Sequence, residues 1–584
     1  MKEEKIQNYS NAESKCREEI FGFLRFSLGK NFDENFIFIE YPPEASMGDF
    51  SITCFGLAKK AGVSPNEFTK SLAEQFTIQK KVTRDGRIIR DAKSFGPYLN
   101  FFVDYRRFAK NVINQIVKEK KDFGNSNIGK GQKIMIEYSQ PNTHKEFHIG
   151  HLRNVCIGSS IVNFYQTLGY KVIAANYIND TGAHVSKCLW AYQKFHAHES
   201  LPENKGKFLG KIYVEANRKI EENPEYLKEV SEVAKKLESG EKKITALWKK
   251  TKKWSMEEFY AIYKRLDVHF DEYFFDSDLT DEGKKIVDEL LKKGIAKKSE
   301  GAIIVDLNEY NLHVSLILKS DGTALYATKD LALAIKKFKK FKLDKSFYVV
   351  DVRQSLNFEQ LFKTLELYGF TMEMKHIPYE TVSRPEGTMS SRKGNVILFE
   401  DFENEMYGKV AQETKKHHPD WSEKKVSRIS YNIAYAAMKY TILVHGNNTP
   451  VVFDMKKALE LNGKTGPYLQ YMYARISSIL RKSNISVSSQ VKIEQLTLPE
   501  EKTLVFHLSK FPNIIEKSAL RFDPSILAGY LYELAQLFSM FYEKIPVLKA
   551  EKNIMKERLC LLRVVKVTLA KGFSLLGIEP LEQM

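Results

Sequence analysis

A strand, helix, strand pattern in the first third of the chain constrains the fold more than any other feature. "KIMIEY" (133–138) and "YKVIAANYIND" (170–180) are rich in the β-branched and aromatic residues that strands favour. Between them, apolar and small residues recur at three- and four-residue steps from Leu152 to Leu168, and Gly169 supplies a helix stop. One helix joining two strands is typical of parallel pairing, so the pattern predicts an α/β fold.

The same pattern returns later in the chain. "ALYATKDLALAIKKFKKF" (324–341) predicts a helix, and "SFYVVDV" (346–352) predicts a buried strand. The long stretch between the two regions is rich in Lys and Glu and helical in pattern. We therefore predict a Rossmann-type parallel-sheet domain over residues 125–404, with a helical insertion at 190–300 that divides the two halves of the sheet.

The flanking regions differ in character. Residues 1–110 mix an amphipathic helical pattern, "SPNEFTKSLAEQF", with a strand-like end, "GPYLNFFVD", and a polar stretch follows. From residue 405 onward the periodicity is helical. We expect an N-terminal α+β domain and an all-helical C-terminal domain over 405–584, since a chain of 584 residues is too long for one ordinary core.

Charge and cysteine content indicate the class of partner and compartment. Ninety Lys and Arg residues against 73 Asp and Glu residues give a net charge of +17 at pH 7, which fits either a polyanionic partner or simply solvated helix faces. The five cysteines are far apart, without a C-x-x-C motif, so we expect a reducing compartment, the cytoplasm. No apolar stretch approaches the roughly 18 residues needed to span a bilayer, so no membrane association is expected.

"PNTHKEFHIGHLRN" (141–154) places His148, Gly150 and His151 where a helix should begin. A helix N-terminus favours phosphate, and Gly150 allows a nucleotide to approach closely. His148 and His151 could donate hydrogen bonds to phosphoryl oxygens, while Lys145 adds a fixed positive charge. The tetrapeptide alone leaves open a simpler interpretation, two surface histidines beside a helix cap.

"TMSSRKGNVILFEDF" (388–402) is a Ser- and Gly-containing loop that could close two cations over a triphosphate. Together with the His148 tetrapeptide it resembles the paired signatures of class I aminoacyl-tRNA synthetases. The resemblance implies an ATP site, with His148, His151, Lys145, Arg392 and Lys393 as catalytic residues. Its other ATP-binding members are Gly150, Met389, Ser390 and Ser391.

Six segments occur in the order seen in arginyl-tRNA synthetases: "IEYSQPNTHKEFHIGHLRN", "NYINDTGAHV", "LYATKDLALA", "YVVDVRQ", "MSSRKGNV" and "GKTGPYLQYMYARISSIL". The C-terminal "DPSILAGYLYELAQLFSMFYEKIPVL" and "LLGIEPLEQM" resemble that family's anticodon-binding domain, and the likeness covers essentially the whole chain. It implies that L-arginine is activated by ATP with Mg²⁺ and transferred to the terminal adenosine of tRNA(Arg). It further implies that the middle domain is catalytic, that activation needs bound tRNA, and that the N-terminal domain touches the outer corner of tRNA.

A guanidinium ligand requires desolvated carboxylates. Glu137 ends the first predicted strand, where open α/β sheets bind ligands, and Asp330 stands four residues after Tyr326 on one helix face. These positions match the family's arginine-binding residues. By the same match, Asn142 and Gln354 would hold the α-amino group and His151 would lie near the carboxylate. Taken singly, such residues are more often solvated strand ends, salt-bridged helix faces or turn residues.

The chain departs from the family pattern at two positions. Thr388 replaces the first lysine of the usual KMSKS loop, so that lysine's role passes to Arg392, Lys393 and Lys145 in our interpretation. Gln140 stands where the family more often has Ser, and we expect only its backbone to matter.

The helical domain should read RNA by stacking anticodon bases on aromatic side chains. "GPYLQYMYARI" carries the candidates, and we expect one or two of its tyrosines to face RNA, although aromatics at such spacing are commonly core residues. The candidates are Tyr468, Gln470, Tyr471, Tyr473 and Arg475.

Two other functions stay open at this stage. A small-molecule nucleotidyltransferase also uses an H-x-G-H helix, and a non-catalytic RNA-binding paralogue would fit the missing lysine at position 388. We also expect a monomer. We expect no editing domain, because a site built on polar pairing can reject wrong amino acids by roughly 10⁴-fold or more.

Overall fold

The computed structural model describes residues 11–82, 86–383, 397–483 and 492–584. The N-terminal region is α+β, as predicted, with a four-stranded antiparallel sheet in the order β1-β2-β4-β3. Its elements are α1 (Ala12–Leu28), β1 (Ile39–Glu40), β2 (Phe50–Thr53), α2 (Phe55–Ala61), α3 (Pro65–Val82), β3 (Ile89–Phe95), β4 (Tyr98–Val103) and α4 (Tyr105–Glu119).

The middle region contains a five-stranded parallel sheet in the order β12-β11-β5-β6-β7, which confirms the predicted α/β fold. The first half of the region comprises β5 (Lys133–Glu137), α5 (Ile149–Thr167), β6 (Lys171–Ile178), α6 (Ala183–Ala191), α7 (Lys205–Glu222), α8 (Tyr226–Glu238), α9 (Lys242–Arg265) and β7 (Glu272–Phe275). The second half of the region comprises α10 (Thr280–Lys292), β8 (Ala296–Ser299), β9 (Ala302–Asp306), β10 (Val314–Leu318), α11 (Tyr326–Phe341), β11 (Lys345–Asp351), α12 (Ser355–Tyr368), β12 (Glu373–Tyr379) and β13 (Val382–Ser383).

Strand β5 lies at the centre of the sheet because its side chains are apolar on both faces. Ile134, Met135 and Ile136 are all fully buried, as expected of a parallel strand covered by helices on each side. Helix α5 ends before Gly169, whose φ of 84° is a left-handed conformation that glycine adopts without strain. The predicted strand, helix, strand unit is confirmed.

The stretch predicted as a helical insertion has a more mixed structure than its sequence pattern indicates. Helices α6 to α9 do form a core of their own. However, β7 returns to the parallel sheet beside β6, and β8 to β10 form a separate antiparallel sheet. A four-residue strand such as β7 is too short to show periodicity in the sequence.

The C-terminal region is helical apart from β14, which pairs in parallel with β13. Its elements are α13 (Phe399–His417), α14 (Glu423–Leu443), β14 (Val451–Val452), α15 (Met455–Ala458), α16 (Gly466–Lys482), α17 (Pro499–Ser509), α18 (Phe511–Leu520), α19 (Ser525–Lys544) and α20 (Lys552–Leu575). The described part of the run "NVILFEDF", which is strand-like in sequence, leads into α13 from residue 397. Within the described ranges no helix is both long and apolar enough to cross a membrane.

One hydrophobic core runs through all three regions. Phe108 on α4 stacks on Phe506 of α17 with ring centroids 4.5 Å apart, and Tyr165 on α5 stacks on Phe522 at 5.8 Å. The five cysteines are buried and unpaired. The helical region is therefore packed directly on the helix that begins at the His148 tetrapeptide.

Candidate active site

The loop between β5 and α5 carries several of the predicted site residues and is held in an unusual conformation. Ser139, Gln140 and His144 all have positive φ, at 79°, 46° and 62°. Such conformations are costly for residues other than glycine and persist only where surrounding contacts enforce them. The Gln140 N–H donates to Asn176 Oδ1 at 3.1 Å, which is one of those contacts.

The Gln140 side chain takes part as well, contrary to the expectation that only its backbone matters. Its Nε2 donates to Glu137 Oε1 at 3.2 Å, and its Oε1 accepts from Asn154 Nδ2 at 3.1 Å. Gln140 thus links the strand-end carboxylate to helix α5. A serine at this position could not span both partners.

His144 fastens the same loop to insertion helix α9. Its N–H donates to Ser255 Oγ at 2.9 Å, and its Nε2 lies 2.7 Å from Thr251 Oγ1. Burial lowers the pKa of His144 to about 3, so the ring is neutral at physiological pH. Sequence reasoning missed this contact because its partners lie more than 100 positions apart.

The N-terminus of α5 is formed by two stacked imidazoles. His148 Nδ1 accepts the N–H groups of Gly150 at 3.1 Å and His151 at 3.3 Å, while His151 Nδ1 accepts the His148 N–H at 3.2 Å. The ring centroids are 3.7 Å apart. The histidine side chains therefore cap these first N–H groups, so the imidazoles determine which hydrogen-bond donors the site presents to a ligand.

Both imidazoles are neutral donors. Burial, with the charges of Lys145 and Arg353 acting in the same sense, lowers the pKa of His148 to about 4, and burial lowers that of His151 well below its usual value. Because each Nδ1 accepts a backbone N–H, each proton must sit on Nε2. The tetrapeptide can thus donate two Nε2–H bonds to an anion. We call His148, Gly150, His151 and Lys145 the helix tip.

Two cations lie near the imidazoles of the helix tip. The Lys145 ammonium sits 4.9 Å from the centre of the Tyr213 ring on α7. Arg353, which sequence reasoning missed, follows β11, and its guanidinium donates two hydrogen bonds of 2.8 Å to the Asp351 carboxylate. Arg353 stands directly after a buried strand and beside Gln354, and this position could have identified it as a candidate site residue.

The predicted loop cations, Arg392 and Lys393, lie outside the described residues. The other loop members of the ATP site, Met389, Ser390 and Ser391, also lie outside them, and so does Thr388. The chain that follows them is anchored to the helix tip: the Ile149 N–H donates to Ile397 O at 3.1 Å, and the Phe399 N–H donates to Phe147 O at 2.9 Å.

A second cluster, which we call the acidic pocket, lies beyond the ends of β5 and β7. It comprises Glu137, Asp276 and Asp330 together with Lys329 and Lys337. Glu137 is buried and its Oε2 contacts the fully buried Lys337 ammonium. Burial raises the pKa of Asp330 to about 7, and the charge of Glu137 acts in the same direction. The structure therefore brings Glu137 and Asp330 into one neighbourhood.

Asp276 is a pocket member that sequence reasoning missed. Its carboxylate is fully buried, accepts a hydrogen bond from Tyr177 Oη at 2.8 Å, and contacts Thr181 and Lys329. It follows β7, so the rule that ligands bind beyond strand ends would have found it had that short strand been recognised.

The three remaining predicted arginine ligands are Tyr326, Asn142 and Gln354, and the structure brings the first two together. Tyr326 begins α11 and is 58% exposed, and its hydroxyl accepts from Asn179 Nδ2 at 2.8 Å. Asn142 forms a backbone bridge with Asn179, so these two candidates share one neighbour. Gln354 is exposed and its Oε1 accepts from Asn357 Nδ2 at 2.7 Å.

The candidate RNA-facing residues of α16 divide between core and surface. Tyr468 and Tyr473 are buried, and Gln470 is fully buried with its Nε2 donating to Glu579 O at 2.8 Å. These three side chains offer no surface to a base in this structure. Tyr471 is exposed, and the partly exposed Arg475 guanidinium lies 4.4 Å from the Tyr542 ring centre.

Three family models match successive parts of the chain. They describe an arginyl tRNA synthetase N-terminal domain at residues 14–103, the catalytic domain of class I tRNA synthetases (R) at 112–455, and a DALR anticodon binding domain at 469–584.

Curated relatives and solved structures agree with those matches. The chain is 36% identical to an arginine--tRNA ligase of Clostridium acetobutylicum over 94% of this chain and 96% of the relative, and 37% identical to one of Bdellovibrio bacteriovorus over 93% of each. Its fold resembles the Thermus thermophilus arginyl-tRNA synthetase, with a TM-score of 0.82 at 23% identity over 97% of this chain and all of that one. The Plasmodium falciparum arginyl-tRNA synthetase gives 0.79 at 22% identity, over 97% and 99%. The chain belongs to the arginyl-tRNA synthetase family of class I aminoacyl-tRNA synthetases.

Proposed function

We propose that this chain activates L-arginine with ATP and transfers it to the terminal adenosine of tRNA(Arg), as an arginine–tRNA ligase. One observation carries the proposal: carboxylates that attract a guanidinium share a sheet edge with a helix tip that offers two neutral N–H donors. Class I chemistry needs these two environments side by side, one for the amino acid and one for the nucleotide.

In the first step the carboxylate of arginine attacks the α-phosphorus of ATP in line and pyrophosphate leaves. The enzyme's contribution is positioning and charge. His148 and His151 would donate their Nε2–H groups to phosphoryl oxygens, Gly150 would allow close approach, and Lys145 would add positive charge, joined by Arg353. Met389, Ser390, Ser391, Arg392 and Lys393 complete the proposed ATP site.

Mg²⁺ would accompany the triphosphate. The side chains of the helix tip are hydrogen-bond donors or cations rather than carboxylates, so phosphate oxygens and water would hold the ion. The metal would neutralise charge on the departing pyrophosphate.

The acidic pocket would hold the arginine side chain. Glu137 and Asp330 would be its carboxylates, with Asp330 supplying the net negative charge, and Tyr326 would contribute from the start of α11. Asn142 and Gln354 would bind the α-amino group of arginine. His151 would lie near the arginine carboxylate that reacts. An analogue lacking the guanidinium charge would leave a buried carboxylate unpaired, so no separate editing site is required.

In the second step the 2′-hydroxyl of the terminal adenosine attacks the activated carbonyl, without a covalent enzyme intermediate. Residues 405–584 would bind the anticodon, with Tyr471 and Arg475 as its RNA-facing side chains on α16. Residues 1–110 would contact the outer corner of the tRNA, and 125–404 would carry catalysis. We further propose a monomer in the cytoplasm, where buried, reduced cysteines are ordinary.

Charging total tRNA with each amino acid in turn tests the proposal. Only arginine should be incorporated, and ATP–pyrophosphate exchange should require arginine and tRNA together. Exchange that proceeds with a substrate other than an amino acid would indicate a nucleotidyltransferase. Tight tRNA binding without any exchange would indicate a non-catalytic RNA-binding paralogue.

A further inference from the structure

A buried ammonium group lies beneath the acidic pocket. Lys337 is fully buried on α11, seven residues after Asp330, and its Nζ contacts Glu137 Oε2. The same Nζ lies 4.4 Å from the ring centre of Tyr348 and 5.8 Å from that of Phe274. Glu137 is the carboxylate that the lysine contacts, and Asp330 acts on it only through its charge.

The two pocket lysines are each committed to one carboxylate. Lys337 contacts Glu137, while Lys329 contacts Asp276 and donates to Thr181 Oγ1 at 3.1 Å. Within the described part of the chain, no hydrogen bond reaches the Asp330 carboxylate. Three carboxylates thus face two ammonium groups, which leaves one net negative charge, at Asp330.

We propose that Lys337 is a specificity-determining positioning residue: by engaging Glu137, it leaves the pocket with one unneutralised carboxylate, which matches the single positive charge of an arginine side chain. The inference rests on the proposed function. A buried charge without a partner is costly, so a pocket with one net negative charge favours a ligand that brings one positive charge.

Loss of the lysine charge would alter that balance in a measurable way. Without Lys337, Glu137 becomes a second carboxylate that no ammonium group neutralises, and its burial favours the protonated form. Arginine would then have to displace a second proton. The groups that face Glu137 and Asp330 are Tyr177 on β6, Asp276 after β7, Lys329 and Lys337 on α11, and Tyr348 on β11.

The test compares Lys337→Met, which removes the charge at similar length, with Lys337→Arg, which keeps it. Lys337→Gln, still a hydrogen-bond donor to Glu137, serves if the methionine variant does not fold. Lys339→Met is the matched control, since Lys339 is exposed on the same helix. Arginine-dependent ATP–pyrophosphate exchange with tRNA is measured from pH 6 to 9 in the full chain, with the melting temperature.

The methionine or glutamine variant should raise the KM for arginine by about tenfold or more near neutral pH, because a charge partner has been removed. The KM for ATP should be unchanged. A second inflection should appear in the pH profile, and Lys337→Arg should restore the wild-type profile. A loss equal for arginine and ATP, without a new inflection, would reduce Lys337 to a structural role and overturn the proposal, as would an unchanged KM. Absence of arginine-dependent exchange in the wild type would instead refute the proposed function itself.

Discussion

The acidic pocket and the helix tip lie along one edge of the same sheet, yet their titratable groups are kept in different states. In the pocket, two carboxylates contact buried ammonium groups, and burial raises the pKa of Asp330 to about 7. At the helix tip, burial and nearby cations keep both imidazoles neutral. The first arrangement recognises a charge already present on the substrate. The two imidazoles of the second can stabilise charge that develops during reaction without carrying charge themselves.

Replacing Asp330 by Asn should have the largest effect of the variants considered, because it removes the negative charge that distinguishes the acidic pocket. The variant is isosteric but removes the pocket's unneutralised charge, so kcat/KM for arginine should fall by roughly 10⁴-fold or more. The affinity for tRNA should be nearly unchanged, because Asp330 lies on α11, outside the helical region proposed to bind the anticodon. Exchange kinetics and tRNA filter binding check both statements.

Asp288→Asn on the exposed surface of α10 is the matched control and should behave as wild type. A catalytically normal Asp330→Asn enzyme would remove arginine recognition from the acidic pocket.

His148→Asn tests the other side of the comparison. Asparagine is a good helix N-cap, so it should keep α5 intact while withdrawing the Nε2–H donor. We expect kcat to fall by about 10²- to 10³-fold, with little change in the KM for arginine, because the lost bond acts on developing charge. Rapid-quench measurement of adenylate formation separates the two parameters. A variant whose KM for arginine rises while kcat is preserved would contradict the division of labour.

Two features of this arrangement follow from sequence rules alone. The apolar run before Glu137 predicts a central strand, and the strand-end rule then predicts where its carboxylate lies. The strand, helix, strand pattern in the sequence also predicts that a helix begins at His148.

Other features depend on tertiary packing and could not be predicted. Glu137 and Lys337 are 200 positions apart, and nothing near either residue indicates that they pair. Asp276 was missed because β7 is four residues long, and the buried side of α16 was not distinguishable from the exposed side that carries Tyr471.

The pH dependence sharpens the comparison because the two sides should titrate differently. Arginine favours ionised Asp330, so its affinity should be full above the free pKa of about 7 and should be lost as pH falls below it. The KM for arginine should be about tenfold higher at pH 6 than on the plateau. The imidazoles, with His148 at a pKa of about 4, should add no inflection between pH 5 and 8.

Calorimetry of arginine binding in buffers of different ionisation enthalpy should show proton release near pH 6.5 and almost none at pH 8.5. An inflection near pH 6.5 in kcat alone would place the titrating group at the helix tip instead, and a flat profile for arginine would show that ionisation of Asp330 does not control arginine binding.

The smallest effect concerns His144, which holds the loop between the two sites. Thr251→Val keeps the side-chain shape but leaves the buried His144 Nε2 without its partner at 2.7 Å, at a cost of about 1–3 kcal/mol in unfolding free energy. Because the loop carries both the pocket end and the helix tip, arginine and ATP parameters should change together by a few-fold, unlike the variants above. Thr245→Val on the same helix is the control, since the Thr245 hydroxyl is buried with no partner among the described residues and its loss should cost nothing. Denaturant unfolding and exchange kinetics measure the two effects, and equal behaviour of the two valine variants would show that the contact of Thr251 with His144 does not position this loop.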